Sequence, residues 1–97
     1  KLNKDKEITG ILVQLPLPNN EDPAPLFNMI EPNKDVDGIT PLNIGNSIMS
    51  HSDLIPCTAK GIITLLDYYK IDLKGKNAVV IGASHIVGRP ISRLLLN

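Results

Sequence analysis

Apolar runs in the first part of the chain predict a buried strand followed by a short helix. Residues 8–15 are mostly apolar and β-branched, and Pro16 and Pro18 end the run. A strand buried on both faces of a parallel sheet has this pattern. Residues 22–30 begin with an aspartate that can cap a helix, and Pro23 falls in the first turn of that helix.

The following segment, 31–57, has little periodicity and is rich in Pro, Asn, Asp and Ser. An irregular segment of this length in a compact protein is usually functional or disordered. Its scattered apolar residues argue against disorder. We therefore expect an ordered, irregular segment with a functional role.

The remaining pattern predicts a helix, a strand and a second helix. Thr58 is a candidate N-cap for a helix that ends near Lys70, and Gly75 marks a turn. The run "AVVIG" at 78–82 reads as a buried strand. The last helix must begin at 87–89, because proline at position 90 is tolerated only in a first turn. This order predicts α/β architecture and the start of a doubly wound unit.

Composition narrows the range of partners. The 97 residues include ten basic and ten acidic side chains, so no net charge attracts nucleic acid or an anionic membrane. The apolar runs are shorter than the ~20 residues that a membrane helix requires. Cys57 is the single cysteine, which suits a reducing compartment. We expect a soluble, cytoplasmic protein that binds neither nucleic acid nor membrane, and an internal segment of a longer chain.

The stretch "VVIGASHIVGRP", Val79 to Pro90, predicts a strand, a turn and a helix N-terminus, where backbone N–H groups can bind phosphate. Gly82 permits a sharp turn, Ser84 adds a hydroxyl donor, and Gly88 allows close helix packing. The spacing does not match the G-x-G-x-x-G dinucleotide fingerprint. On spacing alone, a turn that binds nothing is equally well supported.

Gln14 lies in "VQLPLP" at the carboxyl end of the first predicted strand, where ligands of α/β sheets bind. Its amide can orient a substrate or a catalytic group. The alternative, which the pattern alone favours, is a strand that stops at proline with Gln14 bonded only to the backbone.

Asp35 and Asp37 belong to "NKDVDGITPLNIG". We expect them to alternate across an extended segment and to point their carboxylates to opposite sides, which argues against a shared two-carboxylate site. Either aspartate can accept two N–H donors from a heterocycle, or it can serve only turn chemistry next to Gly38. His51 and His85 have no ligand-spaced partners, so we expect no metal site.

Cys57 precedes the predicted helix that begins at Thr58, and a helix N-terminus would lower the pKa of its thiol. No histidine is placed by the sequence to act as its base. A structural cysteine is therefore favoured over a nucleophile.

The order of "GILVQLPLP", "KDVDG", "PCTAKGI" and "GASHIVGRP" resembles the bifunctional methylenetetrahydrofolate dehydrogenase/methenyltetrahydrofolate cyclohydrolase family. The resemblance implies an enzyme of one-carbon metabolism and purine biosynthesis. Methylenetetrahydrofolate would be oxidised by NADP, or by NAD in some members, and the methenyl product would be hydrolysed to formyltetrahydrofolate. A homodimer with tetrahydrofolate derivatives as ligands is also implied.

The resemblance assigns a role to each motif. Gln14 matches the glutamine that hydrogen-bonds the catalytic lysine, and Asp37 matches the aspartate that anchors the pterin ring. Both count as catalytic residues, and they share the substrate pocket with Val13, Leu15 and Pro16. The cofactor turn has the family form G-x-S-x-x-V-G-x-P, and its implied contacts are Gly82, Ala83, Ser84, Ile86, Val87 and Gly88.

The resemblance also implies a division of the chain. Residues 1–57 would be the C-terminal part of the folate-binding catalytic domain, 58–70 the linking helix, and 71–97 the first, incomplete βα unit of a Rossmann-type NAD(P)-binding domain. Ala83 and Ala59 stand where other members often carry arginine and proline. The contacts to the adenosine phosphate therefore stay open.

The family's catalytic lysine follows a tyrosine by four residues, and this motif is missing here. Asp72 and Leu73 occupy that distance from Tyr68 and Tyr69. We expect the lysine to lie outside the segment, so the segment alone should show no turnover. A non-catalytic or monofunctional α/β nucleotide-binding module is the alternative.

Overall fold

A computed structural model describes residues 1–49 and 54–96, and the regular structure in these ranges is helical. The α-helices are α1 (Ala24–Met29), α2 (Pro41–Ile48), α3 (Cys57–Tyr68) and α4 (Gly88–Leu94). Short 3-10 turns occur at Leu2–Lys4, Pro18–Asn20 and Pro32–Lys34. Helix α4 packs against α3 and also contacts α2. His51 lies outside the described residues.

The predicted strands at 8–15 and 78–82 form no sheet ladder within the described residues. Segment 8–15 makes one parallel bridge, between Ile11 and Asp35, in which the Ile11 N–H donates to the Lys34 carbonyl at 2.7 Å. In segment 78–82, Val79 and Ile81 are 88% and 98% exposed. The prediction of burial on both faces is therefore wrong for the described part of the chain, because it supplies no neighbouring strands to pair with these segments.

Helix α1 confirms the helix predicted at 22–30, but Pro23 is its N-cap and does not lie in its first turn as predicted. The Asp22 Oδ1 atom accepts a hydrogen bond from the Ala24 N–H at 3.0 Å. Pro25 lies in the first turn, where the missing N–H costs no helical bond.

Helix α2 falls inside the segment that was expected to be irregular. Thr40 is its N-cap and accepts a hydrogen bond at Oγ1 from the Asn43 N–H at 3.4 Å, and Pro41 is the first helical residue. A threonine cap followed by proline is a helix-start signal. The prediction is wrong here because the helix spans only Pro41–Ile48 and contains a glycine, which hides its apolar period.

Helix α3 begins at Cys57, so Thr58 is inside the helix and is not its N-cap; Pro56 occupies that position. Its last residue is Tyr68, close to the predicted end. Helix α4 begins at Gly88 with Pro90 in its first turn, which confirms the predicted start.

A buried polar cluster, made of Asp35, Thr40 and Asn43, joins the turn before α2 to the helix itself. Asp35 is 1% exposed, and its carboxylate accepts hydrogen bonds from the Thr40 N–H at 2.8 Å, the Asn43 Nδ2 at 2.9 Å and the Ile39 N–H at 3.2 Å. Burial alone would raise the pKa of Asp35, but these hydrogen bonds outweigh it and lower the pKa. The carboxylate is therefore ionised at neutral pH and holds the surrounding loop.

Gly38 brings this loop against the segment that leads into α3. Its φ of +68° lies in the left-handed region, and a Cβ atom there would meet the Ile55 carbonyl carbon at 2.8 Å. One residue earlier, the Asp37 carbonyl accepts a hydrogen bond from the Cys57 N–H at 3.3 Å. Gly38 thus allows two distant parts of the chain to approach closely.

Replacing Gly38 should therefore destabilise the protein. Gly38→Ala forces a Cβ into the Ile55 backbone and strains φ, so we expect a loss of about 1–3 kcal/mol. Gly61→Ala is the matched control, because a Cβ at that exposed position in α3 meets nothing within 4 Å. It should stabilise the helix by about 0.5–1 kcal/mol. Urea unfolding measures both changes, and equal effects of the two substitutions would contradict the close approach at Gly38.

Candidate functional site

A cavity of about 130 Å³ brings together the sequence motifs that were singled out for chemistry. It joins the end of segment 8–15, the loop after Asp35, the start of α3 and the turn before α4. The lining residues are Val13, Gln14, Leu15, Asp37, Ile39, Pro56, Cys57, Thr58 and Ile86. Apolar walls with a few convergent polar groups are typical of small-molecule sites.

The Gln14 amide is anchored locally. Its Nε2 donates a hydrogen bond to the Leu15 carbonyl at 2.9 Å. This is the backbone contact foreseen in the alternative reading of the motif, yet the residue also lines the cavity. A primary amide has two N–H donors and a carbonyl acceptor, so one bond leaves further capacity for a ligand or a second side chain. Pro16 follows a cis peptide bond and lies outside the lining.

Asp37 and Asp35 have different surroundings. Asp35 is enclosed in the buried polar cluster, whereas Asp37 lines the cavity with Val13. Strand alternation does not explain this separation, because residues two apart share a strand face. The chain turns at Val36 and Asp37 directly after the bridge at Asp35, and this turn separates the two carboxylates.

The Cys57 thiol is held between the cavity and the loop that carries Asp37. Its Sγ donates a hydrogen bond to the Val36 carbonyl at 3.3 Å. Partial burial raises the pKa of the thiol, and the neighbouring negative charges of Asp37 and Asp35 raise this pKa further. The expectation that a helix N-terminus would lower this pKa is therefore wrong. A neutral thiol at physiological pH is a poor nucleophile.

The turn before α4 depends on two glycines. Gly82 has φ of +116°, and a Cβ built on it would meet nothing within 4 Å, so the backbone faces open space. At Gly88 a Cβ would collide with the Gly82 carbonyl and would lie 3.0 Å from the Ala83 Cα. Gly88 therefore allows the start of α4 to pack directly on the turn, as expected from the sequence.

Ser84 satisfies the first N–H groups of α4. Its Oγ accepts hydrogen bonds from the Val87 and Gly88 N–H groups at 3.2 Å, and its carbonyl accepts one from the Arg89 N–H at 3.0 Å. Because the oxygen accepts two bonds, the hydroxyl proton is directed elsewhere and can be donated to an anion. The turn therefore fits a phosphate through this hydroxyl more than through the helix N–H groups that were expected to bind it.

Ile86 connects this turn to the cavity. It lines the cavity that contains Gln14 and Asp37, and it also lines a neighbouring space of about 340 Å³ together with Leu15 and His85. The Ala83 carbonyl accepts a hydrogen bond from the Arg89 Nε at 3.2 Å, which stiffens the turn. A ligand on the turn would thus approach a ligand in the cavity at Ile86.

Sequence reasoning missed the supporting residues of the site. Ile39, Pro56 and Thr58 line the cavity, and Asp35 supports it from behind. Their only sequence signals were the helix-start residues "ITP" and the proline before α3. The described residues contain no group of three His, Cys, Asp or Glu side chains that could hold a metal ion, and no helix there is long and apolar enough to span a membrane.

Two domain models of one family match this chain. The tetrahydrofolate dehydrogenase/cyclohydrolase catalytic domain matches residues 1–37, and the NAD(P)-binding domain of the same family matches residues 56–97. Among curated relatives, the bifunctional protein FolD of Lactobacillus acidophilus is 57% identical over 96 residues. That alignment covers 99% of this chain and 34% of the relative. The chain therefore spans about a third of the length of the curated relatives it matches.

Solved structures agree with these matches. The bifunctional FolD enzyme of Campylobacter jejuni, a methylenetetrahydrofolate dehydrogenase/cyclohydrolase, aligns with a TM-score of 0.90 and 48% identity over 98% of this chain and 34% of that one. The Trypanosoma brucei enzyme, solved with NADP cofactor and an inhibitor, aligns with a TM-score of 0.87 and 35% identity over 98% of this chain and 33% of that one.

Because Asp37 raises the pKa of Cys57, the reactivity of this thiol reports whether the Asp37 carboxylate lies close to it. Asp37→Asn removes a negative charge that opposes thiolate formation, so the pKa of Cys57 should fall and its alkylation by iodoacetamide at pH 7.5 should become faster. Mass spectrometry of the peptide containing Cys57 follows the reaction. Asp72→Asn, the same chemical change in the loop after α3, should leave the rate unchanged. An unaltered rate in Asp37→Asn would show that the carboxylate does not act on the thiol.

Proposed function

The chain belongs to the tetrahydrofolate dehydrogenase/cyclohydrolase family, and we propose that its full-length protein oxidises methylenetetrahydrofolate with NADP and hydrolyses the methenyl product to formyltetrahydrofolate. The observation that carries this proposal is the single cavity lined by Gln14, Asp37 and Ile86. In that arrangement a folate bound at Gln14 and Asp37 would meet a dinucleotide bound at the turn.

We propose that the chain covers parts of both domains. Residues 1–57 form the end of the folate-binding catalytic domain, 58–70 the linking helix, and 71–97 the first βα unit of a Rossmann-type domain. The ranges of the two matching domain models support this division. The packing of α4 against α3 and α2 supports a cleft between the two parts.

In the proposed reaction, the one-carbon unit of methylenetetrahydrofolate loses a hydride to NADP⁺, which leaves a methenyl cation and NADPH. Water then adds to this cation, a C–N bond breaks, and a proton is released to give formyltetrahydrofolate. The cofactor supplies the hydride acceptor for the first step. The protein orients the two ligands, and Val13, Leu15 and Ile39 give the cavity apolar walls.

Asp37 is the proposed anchor of the pterin ring. A carboxylate can accept two parallel N–H bonds from an aminopyrimidine edge, which fixes both the position and the rotation of the ring. Its backbone is held by the Cys57 N–H, so the carboxylate is presented from a fixed main chain. Val13, Leu15 and Pro16 are the proposed apolar contacts of the same substrate.

Gln14 is proposed to tune the catalytic lysine that the family resemblance implies. A lysine ammonium that donates a hydrogen bond to the amide carbonyl of Gln14 would be oriented for proton transfer to and from the folate nitrogens. The bond from Nε2 to the Leu15 carbonyl supports this role because it restrains the amide while leaving its carbonyl oxygen as an acceptor.

The cofactor contacts are proposed at Gly82, Ala83, Ser84, Ile86, Val87 and Gly88. Open space at Gly82 permits close approach of a pyrophosphate, and the Ser84 hydroxyl can donate to it. NADP is the proposed cofactor, with support from the NADP complex of the Trypanosoma brucei relative. We also propose that the full-length protein is a cytoplasmic homodimer in one-carbon metabolism and purine biosynthesis.

Two substitutions separate the proposed binding sites. Asp37→Ala in the full-length protein should raise the Kd of the folate roughly 10-fold to 100-fold, the loss expected for charge-assisted hydrogen bonds worth about 1.5–3 kcal/mol. The Kd for NADP should change by less than about 2-fold, because distant sites act almost independently. Ser84→Ala should weaken NADP binding and spare the folate. Isothermal titration of both ligands checks this, and equal losses in either variant would refute the assigned roles.

Steady-state assays decide between an enzyme and a nucleotide-binding module. The full-length protein should reduce NADP⁺ in the presence of methylenetetrahydrofolate and should hydrolyse added methenyltetrahydrofolate. A protein that binds NADP but catalyses neither step is the non-catalytic alternative. A protein that reduces NADP⁺ but does not hydrolyse methenyltetrahydrofolate is the monofunctional alternative.

A further inference from the structure

We propose that Asp35 is a positioning residue for the candidate site: its buried carboxylate fixes the loop 35–40 so that the side chain of Asp37 lines the cavity beside Val13. The inference rests on the proposed function only for the identity of the ligand that Asp37 binds. The placement of Asp37 by Asp35 is a property of the chain and can be tested without that ligand.

The contacts of Asp35 enclose Asp37. The three groups that donate to the carboxylate belong to Ile39, Thr40 and Asn43, which follow Asp35 by four, five and eight residues. The carboxylate therefore closes a ring of main chain in which Asp37 is a member. Asn43 also donates through Nδ2 to the Pro32 carbonyl at 2.8 Å, so the ring is tied to the turn that precedes it.

Asp37 is also fixed on its other sides. The parallel bridge between Ile11 and Asp35 sets the relation of this loop to segment 8–15, and two residues further along each segment come Val13 and Asp37, which both line the cavity. On the opposite side, the Asp37 carbonyl accepts the Cys57 N–H. A change at Asp35 should therefore reach the site through Asp37.

An asparagine at position 35 tests this mechanism with almost no change in shape. It keeps one oxygen acceptor but places an NH₂ group against N–H donors, so at least one buried donor loses its partner and the loop must shift. A merely structural role for Asp35 predicts lower stability and equal loss of both ligands. A positioning role predicts selective loss of the ligand that Asp37 holds.

The first experiment measures ligand affinities in the full-length protein. Asp35→Asn should raise the Kd of methylenetetrahydrofolate about 10-fold and leave the Kd of NADP within 2-fold, roughly the limit of additivity between distant sites. In the double variant Asp35→Asn/Asp37→Asn, the folate Kd should equal that of Asp37→Asn alone, because Asp35 acts through Asp37. Asp72→Asn is the matched control and should change neither affinity. Additive losses, or equal losses of both ligands, would overturn the proposal.

The second experiment needs no folate and keeps the charge of Asp35. Asn43→Ala removes one donor to the carboxylate, so the loop should loosen and Asp37 should move away from Cys57. Alkylation of Cys57 at pH 7.5 should then become faster, since Asp37 and burial both oppose the thiolate. In an Asp37→Asn background, Asn43→Ala should have no further effect. An equal acceleration in both backgrounds would show general loosening and would overturn the proposal.

The two experiments separate failure of this inference from failure of the proposed function. If the wild-type protein binds no methylenetetrahydrofolate, the proposed function is wrong, and the alkylation of Cys57 still decides whether the cluster positions Asp37. If Asp35→Asn does not fold, Asn43→Ala supplies both readouts. A wild-type protein that binds folate and an Asn43→Ala variant with unchanged affinity and alkylation would leave the function standing and refute the positioning role.

Discussion

The carboxylate of Asp35 is 1% exposed and lies in the middle of the loop on which the candidate site depends. Burial of an ionised carboxylate is unfavourable unless hydrogen bonds replace its hydration. Three donors do so here, and together they lower its pKa despite the burial. The same bonds require that Thr40 and Asn43 adopt the start of α2. The need to stabilise this one buried charge thus fixes the conformation of the loop, the start of α2 and the position of Asp37.

Close backbone approaches extend this constraint to the rest of the site. Gly38 lets the loop contact the entry to α3, and Gly88 lets α4 start directly on the turn at Gly82. Helix α4 packs against α3, and the first residue of α3, Cys57, donates to the Asp37 carbonyl, so the turn before α4 and Asp37 are both held by α3. Glycine at these two positions allows main-chain segments to contact each other. These contacts bring together the loop with Asp37 and the turn with Ile86, which both line the cavity.

The sequence predicted the motifs of the site better than the structure that supports them. Helices α1 and α4 were predicted because aspartate or proline marks their starts. Helix α3 was predicted from its recurring apolar residues, although Thr58, its predicted N-cap, lies inside the helix. Helix α2 was missed because its short apolar period is interrupted by Gly45. Turn chemistry was one alternative for Asp35, and its bonds to the Ile39 and Thr40 N–H groups agree with that alternative. Its bond to the Asn43 side chain could not be predicted, since this donor becomes close only when the loop folds. The strand at 78–82 was predicted from its apolar run. Such a run indicates burial between neighbouring strands, and the described residues contain no strand that pairs with it.

The arrangement of Ser84 gives the turn before α4 a different physical character from a phosphate-binding helix terminus. In a helix start without a cap, the free N–H groups are oriented by the ligand that binds them. Here the serine oxygen already accepts the Val87 and Gly88 N–H groups, and the Arg89 side chain donates to the Ala83 carbonyl. The turn is therefore stabilised by internal bonds before any ligand arrives, which lowers the entropy cost of binding. The groups left to contact the proposed ligand are the Ser84 hydroxyl proton and the open backbone at Gly82. Ser84, in the turn that precedes α4, thus links the order of this turn to the hydroxyl that is proposed to donate to a phosphate.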